Sequence, residues 1–357
     1  NKDYKIRYPR MFPLKIANNY QQPASSIWQP LLETLREKRG VYCFEYMGGM
    51  QPENLQIAKD FWEEHYDKEG YKIFNIGLEP WFQQWFEYKD KHPFDKCIWW
   101  HSHAGPLSMK NWIYAPYWKK SVDCTLQDDP YKPVHTRVGA ALIQNRKQRM
   151  FTWNRRPHPW RVAMIQGLLE RNLEMEIRMP HHNEERDRPG AFKPLKELIP
   201  NWGKYKPRIM NEGVDIEPGE NGALVNSWEA RCQHTFEVIS ETWVNRGGLV
   251  TFASEKTFRA LRSGNLFLVW GQQGHTANLR TRGWKLFEKY INYEYDLIED
   301  NKLRLKRYLD EIERIYNMSD TEYEDMWENT YKDRKHNQEY SLHWNASIDR
   351  WMNAETG

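Results

Sequence analysis

Arg149-Met-Phe-Thr-Trp153, Asn154-Arg-Arg-Pro-His-Pro159 and Trp160 to Arg171 read as strand, loop and helix in succession. The first piece is apolar and β-prone. The second carries two prolines suited to a helix's first turn, where a missing N–H costs nothing. In the third, Val162, Ile165, Leu168 and Leu169 share one helical face. A strand running through a short loop into a helix is the unit of a parallel α/β sheet. The same grammar recurs downstream. Thr235 to Ser240 reads as a strand, Ser254 opens a helix that ends near Gly264, and Leu266 to Trp270 is a strand closed by Gly271. A C-terminal helix carries Leu305, Leu309, Ile312 and Tyr316, and the Pro-rich stretch from Pro180 to Pro218 reads as loops.

Upstream the alternation is similar. Helices are expected over 27–39, 54–65 and 80–88, and strands over Val41–Tyr46, Tyr71–Ile76 and Cys97–Trp100. The chain has 357 residues, enough for two average domains. We therefore expect an α/β protein of two Rossmann-like domains facing a central cleft, with a C-terminal helix. The expected divisions are an acceptor-side domain over 1–140 and a ligand-binding domain with C-terminal helices over 141–357, with the hinge between Pro130 and Arg149. In open α/β sheets the ligand crevice lies at the carboxyl ends of the strands.

Composition is that of a globular chain, 39% hydrophobic and 28% charged. Lys and Arg number 52 against 49 Asp and Glu, a net charge of +3, which does not by itself mark a nucleic-acid binder. The distribution is uneven. Between Arg146 and Arg208 there are 15 basic and 7 acidic residues, whereas Asp296 to Glu328 has 11 acidic and 5 basic. A basic middle suits an anionic ligand. Aromatics reach 15%, serving cores and also stacking on sugars and bases. Cys43, Cys97, Cys124 and Cys232 form no CxxC pair, which speaks against a zinc ribbon or disulfide scaffold and suits a reducing compartment. No apolar run reaches membrane-spanning length, and the start has no signal-peptide core, so a cytoplasmic location is expected. The chain begins at Asn1 rather than Met, which predicts a longer gene product.

Three segments carry candidate chemistry. Arg155, Arg156 and Arg161 surround the start of the helix after the first strand. Cations are unfavourable at a helix N-terminus, whose free N–H groups and dipole attract anions, and a bound diphosphate would resolve the conflict. Ser254-Glu-Lys-Thr257 repeats the pattern: Ser254 is a helix cap, Lys256 a cation in the first turn, and Glu255 an acceptor suited to ribose hydroxyls. Glu241 and Thr242 lie at a strand's carboxyl end. Solvated arginines and a plain capped helix are the alternatives at each point.

Read together, these segments resemble the C-terminal domain of the two-Rossmann-domain (GT-B) glycosyltransferases, closest to those encoded by bacteriophages. The helix bearing Glu255-Lys256 is similar to that of α1,3-fucosyltransferases. The matching text is Phe151 to Arg161, Thr235 to Thr242, Phe252 to Leu261, Leu279 to Phe287 and Tyr293 to Asp296, within the C-terminal half. Departures stand at Trp160, Arg259-Ala260 and Asn292 to Asp296, and bear on sugar and base preference. The resemblance implies a hexosyl- or pentosyltransferase that moves sugar from a UDP- or GDP-sugar, needing no tightly bound cofactor and no metal. Glu255 would hold the ribose, and Lys256 with an arginine of the 155–161 loop would neutralise the diphosphate. Candidates for the base that deprotonates the acceptor are Glu45, His101 and His103. The expected acceptor is a hydroxymethylated pyrimidine in double-stranded phage DNA, placing the protein in the host cytoplasm. Alternatives are a surface glycan or a protein as acceptor, a non-enzymatic phage interaction protein, or a metal-dependent hydrolase using His101 and His103.

Overall fold

A computed structural model of the chain describes residues 41–46, 71–76, 98–101, 103–104, 112–114, 146–154, 157–181, 193–211, 231, 233–241, 244 and 251–343. The helices expected over 27–39, 54–65 and 80–88 and the hinge before Arg146 lie outside these residues. The chain divides into two compact units, one of Asn1–Tyr117 with Trp344–Gly357 and one of Trp118–His343.

The first unit contains strands β1 (Val41–Tyr46), β2 (Tyr71–Ile76), β3 (Ile98–His101), β4 (His103–Ala104) and β5 (Trp112–Tyr114). Four of them form a parallel sheet of order β1-β2-β3-β5. The register aligns Tyr46 with Ile76, Ile76 with His101, and His101 with Tyr114. His101 thus ends β3 in the carboxyl row of the sheet. Glu45, paired with Asn75, lies one row earlier.

Among the described residues the second unit opens with α1 (Arg146–Arg149), β6 (Met150–Trp153), α2 (Pro159–Glu170) and β7 (Glu176–Arg178). Next come α3 (Leu195–Leu198), α4 (Trp202–Tyr205), a 3-10 turn at Lys206–Arg208, β8 (Ile209–Met210) and β9 (Phe236–Ser240). Then follow β10 (Thr251–Phe252), α5 (Glu255–Ser263), β11 (Leu266–Trp270) and α6 (His275–Thr281). The unit ends with a 3-10 turn at Glu294–Leu297, α7 (Asn301–Tyr316), α8 (Asp320–Asn329) and α9 (Tyr331–His343). The stretch expected to be loops from Pro180 thus holds two short helices and an edge strand. Leu195, Ile199, Tyr205 and Ile209 are buried there and anchor it to the core.

The sheet order is β11-β9-β6-β7-β8, with every pair parallel. Counting its strands along the chain, this is 3-2-1-4-5, so the direction of winding reverses between β6 and β9. Every residue of β9 and of the edge strand β11 is buried, as expected for parallel strands covered on both faces. One face is covered by α2 and α7, where Gly167 lets α2 approach the Leu309 side chain closely. There the Tyr308 ring packs at a tilt against Trp270, and its hydroxyl donates to the carbonyls of Ile239 and Leu268. The other face carries α5, which ends at Gly264 with φ of 71°, a left-handed turn that favours glycine. A β-carbon at Gly264 would also run into Gln338 of α9.

Charge is buried on that face. Arg231 grips Glu237 of β9 through both carboxylate oxygens, and burial pushes the Glu237 carboxyl up. Across Phe151, Glu176 of β7 meets Arg178 and His234.

Candidate functional site

The carboxyl ends of β6 and β9 diverge. Their register holds at Met150 with Phe236 and Phe151 with Glu237, whereas β6 stays paired with β7 up to Trp153 and Arg178. In doubly wound sheets the ligand crevice lies at such a reversal point. Two helices start beside it.

The first is α2. Pro159 occupies its first turn, its cap residue His158 makes no side-chain capping bond, and its first turn has no acid. Arg161 lies in that turn and is 2% exposed. Its backbone N–H donates to the His158 carbonyl. The imidazole of His158 stacks on the indole of Trp160, with ring centroids 4.8 Å apart and planes 5° from parallel.

The second is α5. Ser254 caps it, its hydroxyl accepting from the Lys256 backbone N–H at 3.3 Å, and the Lys256 ammonium lies 3.3 Å from the same oxygen. Glu255 is the first helical residue. A basic side chain in the first turn works against the dipole, and the serine cap offsets part of that cost.

Glu241, the first residue after β9, joins the two starts. It is fully buried. Its Oε1 accepts from the Ser254 N–H at 3.0 Å and from the Thr257 hydroxyl at 2.5 Å. Its backbone N–H donates to the Trp270 carbonyl, and its own carbonyl accepts from the Trp160 indole N–H at 3.3 Å. Glu241 follows β9 directly, at the strand-end position expected for it. Its carboxylate is engaged in orienting α5.

Hydrogen bonds join Glu241, Ser254 and Lys256, and the indole of Trp160, next to Arg161 in the chain, links the start of α2 to Glu241. Arg155, Arg156 and Thr242 lie outside the described residues. Glu45, His101 and His103 stand on strands of the other unit.

Sequence reasoning passed over several residues here. Asn154 follows β6 and is fully buried. Its amide nitrogen donates to the Thr152 hydroxyl, and its carbonyl oxygen meets no partner among the described residues. Ser240 ends β9 with a buried hydroxyl in the same condition. Both stand three residues beyond the paired Phe151 and Glu237, so they share a sheet face. Thr257 and His275 extend the Glu241 network, with His275 Nε2 at 3.3 Å from the Thr257 hydroxyl. Asp296 caps α6, its oxygens accepting from the N–H groups of His275, Thr276 and Ala277 and from the Thr276 hydroxyl. Burial pushes the Asp296 carboxyl up, against the opposing pull of these bonds. A strand-end position was the one available signal for Asn154 and Ser240. The capping role of Asp296 depends on a contact 20 residues away.

A second concavity of about 710 Å³ lies among α6, residues 288–297 and α7. Its arginines Arg280 and Arg314 pair with Glu288 and Glu311, which leaves the groove electrostatically mixed. Among the described residues no cluster of His, Cys, Asp and Glu is arranged to hold a metal, and no helix is long and apolar enough to cross a membrane. Comparison with protein-family models, with curated proteins and with solved structures finds no match to this chain.

Proposed function

We propose that the chain is a GT-B glycosyltransferase whose two parallel-sheet units are its Rossmann-like domains. In this reading the crevice at the carboxyl ends of β6 and β9 takes the diphosphate of a nucleotide-sugar donor. The observation that carries the reading is the Glu241 bridge. It links two helix N-termini at the reversal point of a parallel sheet, each with a cation in its first turn, Arg161 and Lys256. Helix N-termini and fixed cations stabilise the negative charge that grows on a departing nucleoside diphosphate. Arg155 and Arg156, beside the start of α2, complete the clamp, and Glu255 with Thr242 holds the ribose. The acceptor is the hydroxymethyl group of a pyrimidine in duplex DNA, which suits the basic run from Arg146 to Arg208, and the base comes from Glu45, His101 or His103.

The test is thermal shift of the whole chain against UDP, GDP, CDP and dTDP and their sugars, repeated with hydroxymethylated and plain DNA. A nucleotide at 100 times its Kd stabilises by about 2.7 kcal/mol. If none of the four nucleotides raises the melting temperature, the donor reading is wrong. If a donor binds but is consumed no faster with hydroxymethylated than with plain DNA, the acceptor assignment alone is wrong.

A further inference from the structure

Two buried carboxylates each hold the start of one helix, Glu241 that of α5 and Asp296 that of α6. Between them stands His275, 2% exposed. Its backbone N–H is shared between the Gln272 carbonyl and Asp296 Oδ1, and its ring nitrogen Nε2 reaches Thr257. We propose that His275, in its Nε2-protonated form, is a positioning residue that ties α6 to the first turn of α5 and thereby fixes the direction of that turn's N–H groups and of Lys256.

The tautomer follows from proton counting. A threonine hydroxyl has one proton. Thr257 lies 2.5 Å from Glu241 Oε1, the length of a charge-assisted O–H···O bond, so its proton goes to the carboxylate. The same oxygen can then only accept from His275, which requires the hydrogen on Nε2. Nδ1 has no hydrogen-bond partner among the described residues. It lies against Gly271, where an added β-carbon would come within 3.1 Å of Nδ1 and Cγ. The ring is thus held by a donor bond on one edge and by tight packing on the other. Glu241 pulls the first turn of α5 toward β9, and His275 pulls the same turn toward α6. Two anchors from different directions define an orientation that one would leave free to rotate. The consequence for donor binding rests on the proposed role of α5, whereas the tether itself rests on these contacts.

The test uses the full chain. Long-range proton–nitrogen NMR, with His275 assigned by its loss in His275→Gln, should show a hydrogen on Nε2 and none on Nδ1. Glutamine places an N–H donor where Nε2 stood, and phenylalanine keeps the shape without the donor. Hydrogen exchange at Lys256 and Phe258 should quicken by about tenfold in His275→Phe, roughly the net worth of one hydrogen bond, and stay near wild type in His275→Gln. UDP and GDP affinities should follow the same order. A hydrogen on Nδ1, or equal exchange in all three proteins, overturns the proposal. Should His275→Phe fail to fold, fast exchange in folded His275→Gln overturns it, and wild-type rates support it. Absence of UDP and GDP binding to wild type would sink the donor reading and leave the tether decided by tautomer and exchange.

Discussion

The Thr257 hydroxyl stands 2.5 Å from the carboxylate of Glu241, 16 residues earlier in the chain, inside a fully buried pocket at the end of β9. That bond and the parallel one from the Ser254 N–H make α5 an extension of the sheet edge. Glu241→Ala would take the acceptor from the buried Ser254 N–H and from the proton of the buried Thr257 hydroxyl. We expect a loss of about 2–4 kcal/mol. Urea unfolding measures it, and an unchanged midpoint would mean that α5 is held by packing alone.

Lys256 should behave differently. Its ammonium lies 3.3 Å from the cap oxygen at the edge of the network and is half-buried. Lys256→Ala removes a cation from a helix N-terminus, where the dipole disfavours it, so stability should change by no more than about 0.5 kcal/mol. Nucleotide diphosphate affinity should drop by about tenfold or more, the effect of one charge-assisted bond. Glu255→Ala should weaken nucleoside diphosphates with little change for inorganic diphosphate. Calorimetry on both variants checks this pair, and wild-type affinity in either one removes its residue from the donor site.

How far this much could be read from sequence varies by element. Strand β11 stands out as a short apolar run and β9 as a β-prone one, and α5 is bracketed by a capping serine and by Gly264. Segments of opposite character hid the rest. β7 is Glu-Ile-Arg, whose charged ends become tolerable through His234 and Trp153, residues far from it in the chain. The edge strand β8 has only two residues. At the site, strand-end position is the signal that singled out Glu241, the first residue after β9. Its occupation depends on Trp160, 81 residues away, and on Thr257. Capping and dipole rules identify a helix start, whereas the partner that holds it is a tertiary fact.

Acid should weaken the second unit through Glu176. Burial pushes this carboxyl up, but the hydrogen bonds and charges of His234 and Arg178 outweigh it and hold it at about 2, against an ordinary 4.5. The folded protein therefore binds fewer protons than the unfolded chain between those values. The stabilisation is complete above about 4.5 and is lost as pH falls through about 2. The group is partly exposed, so solvent screening limits the effect to about 1–2 kcal/mol. Unfolding midpoints at pH 5 and pH 3 should differ less in Glu176→Gln than in wild type, and equal slopes would refute the assignment.

The Arg231 and Glu237 pair, exposed by 2% and 3% in its side chains, invites a double substitution. Glu237→Leu alone strands a buried guanidinium and should cost about 3–5 kcal/mol. Arg231→Met combined with Glu237→Leu should recover most of that loss, because a buried ion pair contributes little beyond an apolar pair of like volume. A double variant as unstable as the single one would show that Arg259 and His234, which also act on Glu237, depend on the carboxylate.

Arg304 offers the sharpest separation between charge and shape. From α7 its guanidinium donates to the carbonyls of Val244 at 2.8 Å and Gly271 at 3.4 Å, which follow β9 and β11, and to Ile298 and Asn301. Its carbon Cζ also lies 5.1 Å from the Trp270 ring centroid. Burial lowers its pKa, with Asp296 and Tyr295 acting in the opposite direction. One planar fork thus ties two strand ends to a helix on the crevice side of the sheet. Arg304→Lys keeps the charge but reaches fewer of these acceptors at once, because an ammonium is a compact point charge. We expect Arg304→Lys to lose about 2 kcal/mol or more, close to the loss in Arg304→Met. Hydrogen exchange should quicken at Gln272 and Gln273 in both variants. If Arg304→Lys is as stable as wild type, the positive charge is what the site requires, and the fork's geometry is incidental.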